Sequence, residues 1–475
     1  MRRTFAWAFA AMCLSCEAVL GIAPLPEQDA AAIIDGASDV VVVPSDASDG
    51  GTKEGGECGH TCGDAGYGCV NGGCGNEVVD LSAGQFHACA VLRGGEVWCW
   101  GNNDYEQCGG PGGDVACAAY GTYCRAPRKV AGISNAVGVA SSAVSTCALN
   151  SSGAVFCWGS NYNQELGNDA GAQSSPIQVN LPDKATQVAA GYAMGCAVTV
   201  KNELWCWGRN ECGQMGLGFV GASDGGANDD FAPTFVAADV VSVRMSYPNQ
   251  PTSTCAIRTD GGASCWGYNV YGSLPVSGTL CYGTGGNACN PSSKPYAVPN
   301  KTITKIAPGL TLCAVASGEV WCSGVENDNG SLGTGDTSGV GTNAPILASS
   351  LPNETFVDVA SSGAHACALA STGEVYCWGY PSRGEIGAGY DDAGLPPSKS
   401  CAGQPCSPSA TRVGTFNATL VRVGGNVSYA ADDGGLWAWG WNDIDQLGHP
   451  FGTNGDHQND AGTWFNAIPT RVALP

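Results

Sequence analysis

One pattern of hydrophobic and polar positions recurs seven times along the chain. In each copy, a run of alternating apolar residues precedes a Cys-Ala-apolar segment, a short polar turn and an aromatic-Cys-Trp-Gly segment, with small variations between copies. The first copy passes through Cys89 and ends at Trp100-Gly101. Its Trp-Cys-Trp segment alternates between two faces with a period of two residues, as half-buried strands do. The pattern predicts short strands joined by turns.

The copies are evenly spaced. Their terminal glycines lie 49 to 61 residues apart, at Gly101, Gly159, Gly208, Gly267, Gly324, Gly379 and Gly440. A polar stretch follows the glycine, for example Asn442-Asp-Ile-Asp-Gln-Leu-Gly448. Four short strands in each repeat, repeated around a chain of this length, are typical of a β-propeller.

The copies resemble the regulator of chromosome condensation repeat family. The family phrase of Val-x-Val-x-x-Gly, Ala-Leu and Val-Tyr-x-Trp-Gly-x-Asn-x-x-Gly-Gln-Leu-Gly is present in nearly every copy over residues 77–475. The resemblance implies an all-β fold, a seven-bladed β-propeller of four-stranded antiparallel blades. The chain ends in Pro469-Thr-Arg-Val472, whereas blade one starts at Val78 without such a strand. We therefore expect the C-terminal strand to complete the first blade and close the ring.

Six copies carry a pair of cysteines, and the seventh has Tyr429 and Ala438 in their place. Joint loss is expected of a disulfide, and neighbouring antiparallel strands lie close enough for one. The predicted bridges within repeats are Cys89–Cys99, Cys147–Cys157, Cys196–Cys206, Cys255–Cys265, Cys313–Cys322 and Cys367–Cys377. Two further disulfides are predicted, each within a single loop: Cys281–Cys289 and Cys401–Cys406. The sequence does not indicate how Cys108, Cys117, Cys124 and Cys212 pair.

The N-terminus predicts export. The charged start at Arg2 and Arg3 precedes ten apolar residues from Phe5 to Leu14, which are too few to cross a bilayer but fit a signal peptide. Ser15-Cys16 resembles a bacterial lipoprotein processing site with Cys16 as the lipid-bearing residue, and an ordinary secretory signal is the alternative. Glu17 favours the outer membrane over the inner one. We expect an exported bacterial protein, lipid-anchored in the cell envelope.

Two segments lie between the predicted signal peptide, residues 1–15, and the propeller, residues 77–475. Residues 16–57 contain nine acidic residues against a single base, Lys53, which predicts an acidic flexible tether. Residues 58–76 form a small Cys-rich module. Its cysteines suit either a zinc site or two small disulfides, and the oxidising compartment favours disulfides. These cysteines are Cys58, Cys62, Cys69 and Cys74.

Composition narrows the class of function. The chain has 20 Lys+Arg and 42 Asp+Glu, a net charge of −22, which opposes binding to nucleic acid. Export also removes the cytosolic GTPase partner that the family name suggests. We predict a monomeric, non-enzymatic module, without cofactor or metal, that presents propeller loops to a protein or glycan. A lyase or glycan hydrolase with its site on one propeller face is the alternative, and nucleotide exchange by family analogy is a third possibility.

Two histidines and three acidic stretches are the remaining candidates for chemistry. His87 and His365 occupy the same position in repeats one and six, where we predict structural hydrogen bonds. Their convergence with carboxylates in one pocket would instead favour an enzyme. The stretches 224–230, 391–392 and 456–460 offer oxygen atoms suited to calcium, but none has the full spacing of a calcium loop. Solvated loops are the interpretation that we favour.

Overall fold

The described part of the protein is a seven-bladed β-propeller, as predicted. In this computed structural model, residues 77–474 are described apart from 111–114, 118–120, 170, 221–229, 249–251, 270–273, 275–278, 281–287, 364, 390–397, 402–403 and 460–461. Four two-residue strands before residue 77 are also described. Each blade is an antiparallel sheet of four main strands, and several blades carry a short additional strand at one edge. The first strands of neighbouring blades contact one another, which places them nearest the axis.

The strands of the first three blades follow the repeats of the sequence. Those of blade one are Val78–Ala83, His87–Leu92, Val97–Asn102 and Gly121–Lys129, with the short strand Val115–Cys117 at its outer edge. Those of blade two are Ala136–Ser141, Ser145–Asn150, Val155–Gly159 and Gln173–Gln178. Those of blade three are Ala185–Gly191, Met194–Thr199, Leu204–Gly208 and Asp230–Ala237.

The other four blades repeat this order. Those of blade four are Val240–Met245, Ser253–Arg258, Ala263–Tyr268 and Ala288–Tyr296, with Thr279–Leu280 at the edge. Those of blade five are Ile303–Ala307, Leu312–Ala316, Glu319–Glu326 and Val340–Leu347. Those of blade six are Phe356–Ser361, His365–Ala370, Val375–Gly379 and Gln404–Val413, with Lys399–Cys401. Those of blade seven are Leu420–Val423, Val427–Asp432, Gly435–Trp441 and Trp464–Val472, with His457–Gln458.

A glycine ends the third strand because the backbone turns there into the left-handed region. Gly159 and Gly208 have φ angles of 106° and 95°. A Cβ atom at Gly159 would lie 2.6 Å from the carbonyl oxygen of Val144, which is closer than atoms can approach. Only glycine combines this φ with this contact, which explains why the residue recurs in the sequence.

The apolar core is divided into layers between neighbouring blades. The layer between blades two and three, for example, joins Leu149 and Val155 to Val188 and Trp207. Similar layers form at the other blade interfaces, including the one between blades seven and one. Each blade therefore buries both of its faces against its neighbours, which accounts for second strands that are buried at every position, such as His87–Leu92.

The ring closes without a shared strand, so the prediction that the C-terminal strand completes the first blade is wrong. Trp464–Val472 pairs with Gly435–Trp441 and is the fourth strand of blade seven. Blade one takes its fourth strand, Gly121–Lys129, from its own repeat. Since every repeat supplies all four strands of its blade, no strand is left over. Closure comes from packing, because Val472 shares an apolar layer with the first strand of blade one.

The disulfides follow the prediction with one correction. The six pairs within repeats are bridged, with Cα atoms 4.0 to 4.1 Å apart, and Cys401–Cys406 is bridged as well. Cys289, however, is bonded to Cys212, so the predicted Cys281–Cys289 staple is wrong. The loop that holds Cys212 in blade three lies directly against the fourth strand of blade four, as the contact between Gly213 and Pro291 shows. Cys281 itself lies outside the described residues.

Little of the chain before residue 77 is described. Ile34–Asp35 pairs with Tyr247–Pro248, Ser38–Asp39 pairs with the first strand of blade three, and Cys69–Val70 pairs with Gly73–Cys74. The predictions for the signal peptide, for Cys16 and for the side chains of the Cys-rich module lie outside the described residues. No helix in the described part of the chain is long and apolar enough to span a membrane.

Candidate functional site

The antiparallel order of the strands distributes the connections over two faces of the ring. The loop face carries the turns between first and second strands and the connections between third and fourth strands, such as 160–172 and 209–229. The turn face carries the short turns between second and third strands, such as 151–154. Binding residues tend to lie on longer loops held by a rigid scaffold. The loop face is therefore the candidate interaction face.

Three tyrosines and an arginine cluster on the loop face of blades one to three. Tyr105 and Tyr162 are 38% and 81% exposed, and their ring centroids are 6.1 Å apart in an edge-to-face arrangement. Arg209 lies over the ring of Tyr192, with its Cζ atom 5.4 Å from the centroid. Partial burial raises the pKa of Tyr105, and the nearby Asp104, Tyr162 and Tyr192 raise it further. We call Tyr105, Tyr162, Tyr192 and Arg209 the tyrosine patch.

A second aromatic group lies on the same face where blades six, seven and one meet. The rings of Phe86 and Trp441 are 6.2 Å apart, and the Cζ atom of Arg383 is 5.0 Å from the Trp441 ring centroid. Glu385 lies two residues after Arg383. Burial raises the pKa of Glu385 to about 7 and that of Asp443 to about 6. Both carboxylates are buried: Glu385 accepts the backbone N–H of Arg383, and Asp443 accepts that of Trp464, the first residue of the fourth strand. These two carboxylates hold the backbone of the loops in place, and neither is exposed to act as a general acid.

The two candidate histidines lie apart and bond to hydroxyl groups. His87 Nε2 is 2.8 Å from Thr146 Oγ1 in blade two, and His365 Nε2 is 2.8 Å from Ser428 Oγ in blade seven. Burial lowers the pKa of both imidazoles to about 3, so both are neutral at ordinary pH. Each histidine joins its blade to the next one, which confirms the predicted structural hydrogen bonds. The arrangement does not favour a catalytic pair.

Charged side chains from the first strands meet at the axis. Arg244 and Arg422 lie 3.1 and 3.0 Å from the two carboxylate oxygens of Asp358, and Arg422 is 3.6 Å from Asp80. Burial alone would raise the pKa of Asp358, but the charges of Arg244, Arg422 and Lys305 hold it below its usual value. These five residues, which we call the axial charge cluster, line a cavity of about 240 Å³.

Sequence analysis missed both the tyrosine patch and the axial charge cluster. Their members come from several repeats and occupy positions that differ between repeats. The only local signal for the cluster was a charged residue within an otherwise apolar first strand, such as Asp80 or Asp358. Which charges meet depends on the closure of the ring, which no single repeat encodes.

The acidic stretch near the C-terminus is engaged within its own loop. Asp456 accepts hydrogen bonds from the Asn442 side chain and the Gly452 backbone, and it lies 3.7 Å from His449. Residues 224–229 and 391–392 lie outside the described residues, as does Asp460. Among the residues that the structure describes, no three His, Cys, Asp or Glu side chains are arranged to hold a metal ion.

Comparison with known proteins identifies the repeats. Regulator of chromosome condensation (RCC1) repeats match residues 78–107, 136–165, 185–214 and 356–385, and a second description of the same repeat matches 94–149, 152–198 and 317–369. These matches fall in blades one to three and in blades five and six, so the sequence repeats and the structural blades coincide.

Curated relatives and solved structures agree with this result. The chain is 29% identical over 204 residues to the Arabidopsis thaliana protein "RCC1 domain-containing protein RUG3, mitochondrial", covering 42% of each chain. It is 27% identical over 325 residues to the ultraviolet-B receptor UVR8 of the same plant, covering 66% of this chain and 67% of the receptor. The crystal structure of human WBSCR16 has a TM-score of 0.61 at 18% identity, over 80% of this chain and 94% of that one, and supports the fold alone. The chain therefore carries regulator of chromosome condensation repeats and folds as a seven-bladed propeller.

Proposed function

We propose that this protein is a non-enzymatic binding module that presents the loop face of its propeller to a protein partner. The tyrosine patch carries this proposal. Tyrosine and arginine are enriched among the residues that dominate binding energy at protein interfaces. Tyr162 is 81% exposed, so nearly the whole ring is available to a partner.

The relatives support a binding scaffold rather than one shared reaction. An ultraviolet-B receptor and, over a segment of 197 residues, the human E3 ubiquitin-protein ligase HERC2 both resemble this chain, and these two proteins differ in function. A fold that serves such different proteins does not by itself bring an activity with it. We do not propose an enzyme as a second function, because His87 and His365 are buried and bonded to hydroxyl groups of neighbouring blades.

The anchoring of the module is part of the same proposal. A lipid on Cys16 would attach the chain to the bacterial envelope, at the outer membrane as Glu17 favours, and residues 16–57 would hold the propeller away from the membrane surface. Replacing Cys16 by Ser should release the protein into the soluble fraction, because one side chain carries the anchor. Fractionation of Cys16→Ser with membranes as before would contradict lipidation.

Capture from the envelope with matched variants tests the binding proposal. The loop-face variant Tyr162→Ala/Arg209→Ala removes one exposed ring and one cation. The control Val200→Ala/Lys201→Ala removes one exposed apolar side chain and one cation from the turn face of blade three, the blade that also carries Arg209. We expect one protein to co-purify with the unaltered chain and the control but not with the loop-face variant. Equal recovery with both variants would contradict the proposal, and capture of a glycan instead would replace the protein partner.

A further inference from the structure

One acidic side chain is buried in the loop that carries Tyr162. Glu165 is 1% exposed, and its Oε2 atom accepts the backbone N–H of Asn163 at 2.7 Å. Its Oε1 atom has no hydrogen-bond partner among the residues that the structure describes. Burial raises the pKa of Glu165, and a hydrogen bond from Ser160 and the charge of Arg209 offset only part of that effect. A buried carboxylate is costly unless an opposite charge compensates it.

The fold does not require a carboxylate at this position. Glutamine takes the equivalent place in three other blades, at Gln107, Gln214 and Gln446. In each of them, the Oε1 atom accepts the backbone N–H of the residue two positions earlier at 2.8 to 2.9 Å, as Oε2 of Glu165 does. Glutamate stands there only in blades two and six, as Glu165 and Glu385. The charge in blade two is therefore additional to the hydrogen bond that holds the loop.

The second oxygen of Glu165 is directed at the turn that carries Tyr192. In blade one, the Nε2 atom of Gln107 lies 3.4 Å from the carbonyl oxygen of Ala143 and donates to it, in the first turn of the next blade. The strand registers make Tyr192 the counterpart of Ala143 in blade three. Blade two thus presents an acceptor, the Oε1 atom, where blade one presents a donor. A positively charged donor would complement this acceptor.

The negative charge of this region reaches the tyrosine rings. Partial burial raises the pKa of Tyr105, and Asp104 and Glu165 are among the groups whose charges raise it further. Asp104 is exposed, and its carboxylate accepts hydrogen bonds from two uncharged groups, the Asn102 side chain and the backbone N–H of Thr122. A negative potential that disfavours a phenolate favours a cation at the same place.

Aromatic faces beside these carboxylates add a second attraction for a cation. The faces of tyrosine rings attract ammonium and guanidinium groups. Arg209 already uses the ring of Tyr192 in this way, and its Nη2 atom lies 2.5 Å from Oε2 of Glu211, which engages its charge. Tyr105 and Tyr162 stand edge to face, and the ring of Tyr162 extends into solvent. Their surfaces are available to a further cation.

We propose that the tyrosine patch binds an ammonium group, as on a lysine side chain of the protein partner, with Tyr105 and Tyr162 as aromatic walls and Glu165 as the counter-charge. This inference rests on the proposed loop-face binding and names the chemistry that the patch recognises. An ammonium group is a compact cation, whereas a guanidinium group pairs best with both oxygens of one carboxylate. Because the Oε2 atom of Glu165 is already bonded to the backbone, an ammonium group is the better match.

A titration with a small ammonium compound tests this proposal without the partner. The probe is Nα-acetyl-lysine amide, whose only charge is its side-chain ammonium group. Tyrosine rings labelled with ¹³C report its binding by NMR, with the signals of Tyr105 and Tyr162 assigned from their Phe variants. We expect both signals to shift and to reach saturation in the unaltered protein.

Two matched variants test the counter-charge. Glu165→Gln keeps the hydrogen bond to Asn163, as glutamine does in blade one, and should weaken probe binding by about tenfold or more because a charged acceptor is lost. Glu385→Gln makes the same change at the equivalent position of blade six and should leave the affinity unchanged. Equal affinity of Glu165→Gln and the unaltered protein would overturn the proposal. The same holds if neither tyrosine signal shifts, or if the uncharged Nα,Nε-diacetyl-lysine amide binds as well as the probe.

These outcomes differ from those that test the proposed function. If Tyr162→Ala/Arg209→Ala loses the partner while Glu165→Gln binds the probe as before, the loop-face binding module stands and the ammonium site is wrong. If both loop-face and turn-face variants retain the partner while Glu165→Gln loses the probe, the ammonium site stands and its assignment to that partner is wrong.

Discussion

A hydrogen bond from a single tryptophan joins one blade to the next. In six blades, the indole N–H of the buried tryptophan in the third strand donates to a backbone carbonyl in the loop of the preceding blade at 2.7 to 2.9 Å. Blade five has Ser323 at this position. The recurring Trp-Gly of the sequence thus has two separate causes: the tryptophan joins neighbouring blades, and the glycine permits the turn that follows.

The contribution of this bond can be measured in blade three. Trp207 donates to the carbonyl oxygen of Glu165. The adjacent residue Gly195 has no side-chain hydroxyl group that could donate a second hydrogen bond to that oxygen. Trp207→Phe leaves a buried acceptor without this donor, so we expect a loss of about 1–3 kcal/mol in the free energy of unfolding. Trp205→Phe, in the same strand, removes only a half-exposed bond to Glu203 and should cost clearly less. Equal losses in chemical denaturation would contradict the role assigned to Trp207.

The buried histidines predict a pH dependence of stability. The pKa of His365 is lowered by burial from 6.5 to about 3, so between these values the unfolded chain binds the proton and the folded chain does not. Stability is therefore complete above pH 6.5 and falls as the pH drops towards 3, by up to about 1.4 kcal/mol per pH unit for this group. His365→Gln should flatten that slope in denaturant titrations. An unchanged slope in His365→Gln would show that this imidazole takes up a proton while folded.

At the scale of the element, the hairpin was predictable and the contacts between repeats were not. The strands that bear Cys367 and Cys377 were recognisable because period-two alternation and a polar turn are local signals. The Cys212–Cys289 bridge was not recognisable, since it spans 77 residues and depends on a loop of one blade meeting the outer strand of the next. The fourth strand was also misassigned at the seam, because sequence order alone does not distinguish the end of one blade from the start of another.

A disulfide map tests this arrangement of elements. Non-reducing peptide mapping should find each of the six repeat pairs within its own hairpin, and one bridge, Cys212–Cys289, joining peptides of blades three and four. Each hairpin bridge closes a short loop, which chain-entropy estimates value at about 2–3 kcal/mol. Recovery of Cys289 bonded to Cys281, or of Cys89 bonded to another blade, would contradict the structure.

Blade seven should open before the others, because its second and third strands lack a disulfide and it lies at the seam. It relies instead on packing, with the Trp437 ring stacked 5.4 Å from that of Phe416 and Trp439 in the layer shared with blade six. Local opening is easiest where no covalent link resists it. In oxidised protein, residues 420–448 should exchange amide hydrogens faster than the matched segment 357–387. Equal protection would mean that packing alone matches the effect of the disulfide.

At the scale of the whole molecule, the fold could be predicted from the repeats, whereas the candidate site forms only when the blades close into a ring. Seven copies of one pattern were enough to predict the propeller, because each copy encodes a complete blade. The tyrosine patch combines Tyr105, Tyr162 and Tyr192 from three different blades, so it exists only once those blades stand side by side. Interaction faces of repeat proteins are for this reason harder to predict than their architecture.

The dissociation constant of the captured partner is the most direct test of the proposed function. Two truncated interface residues that each contribute about 1–2 kcal/mol should weaken binding by roughly thirtyfold to a thousandfold. Calorimetry should therefore give Tyr162→Ala/Arg209→Ala a dissociation constant at least tenfold above that of the unaltered protein, with Val200→Ala/Lys201→Ala unchanged. A loop-face variant that binds as tightly as the unaltered chain, or a turn-face variant that loses binding, would contradict the assignment of the loop face.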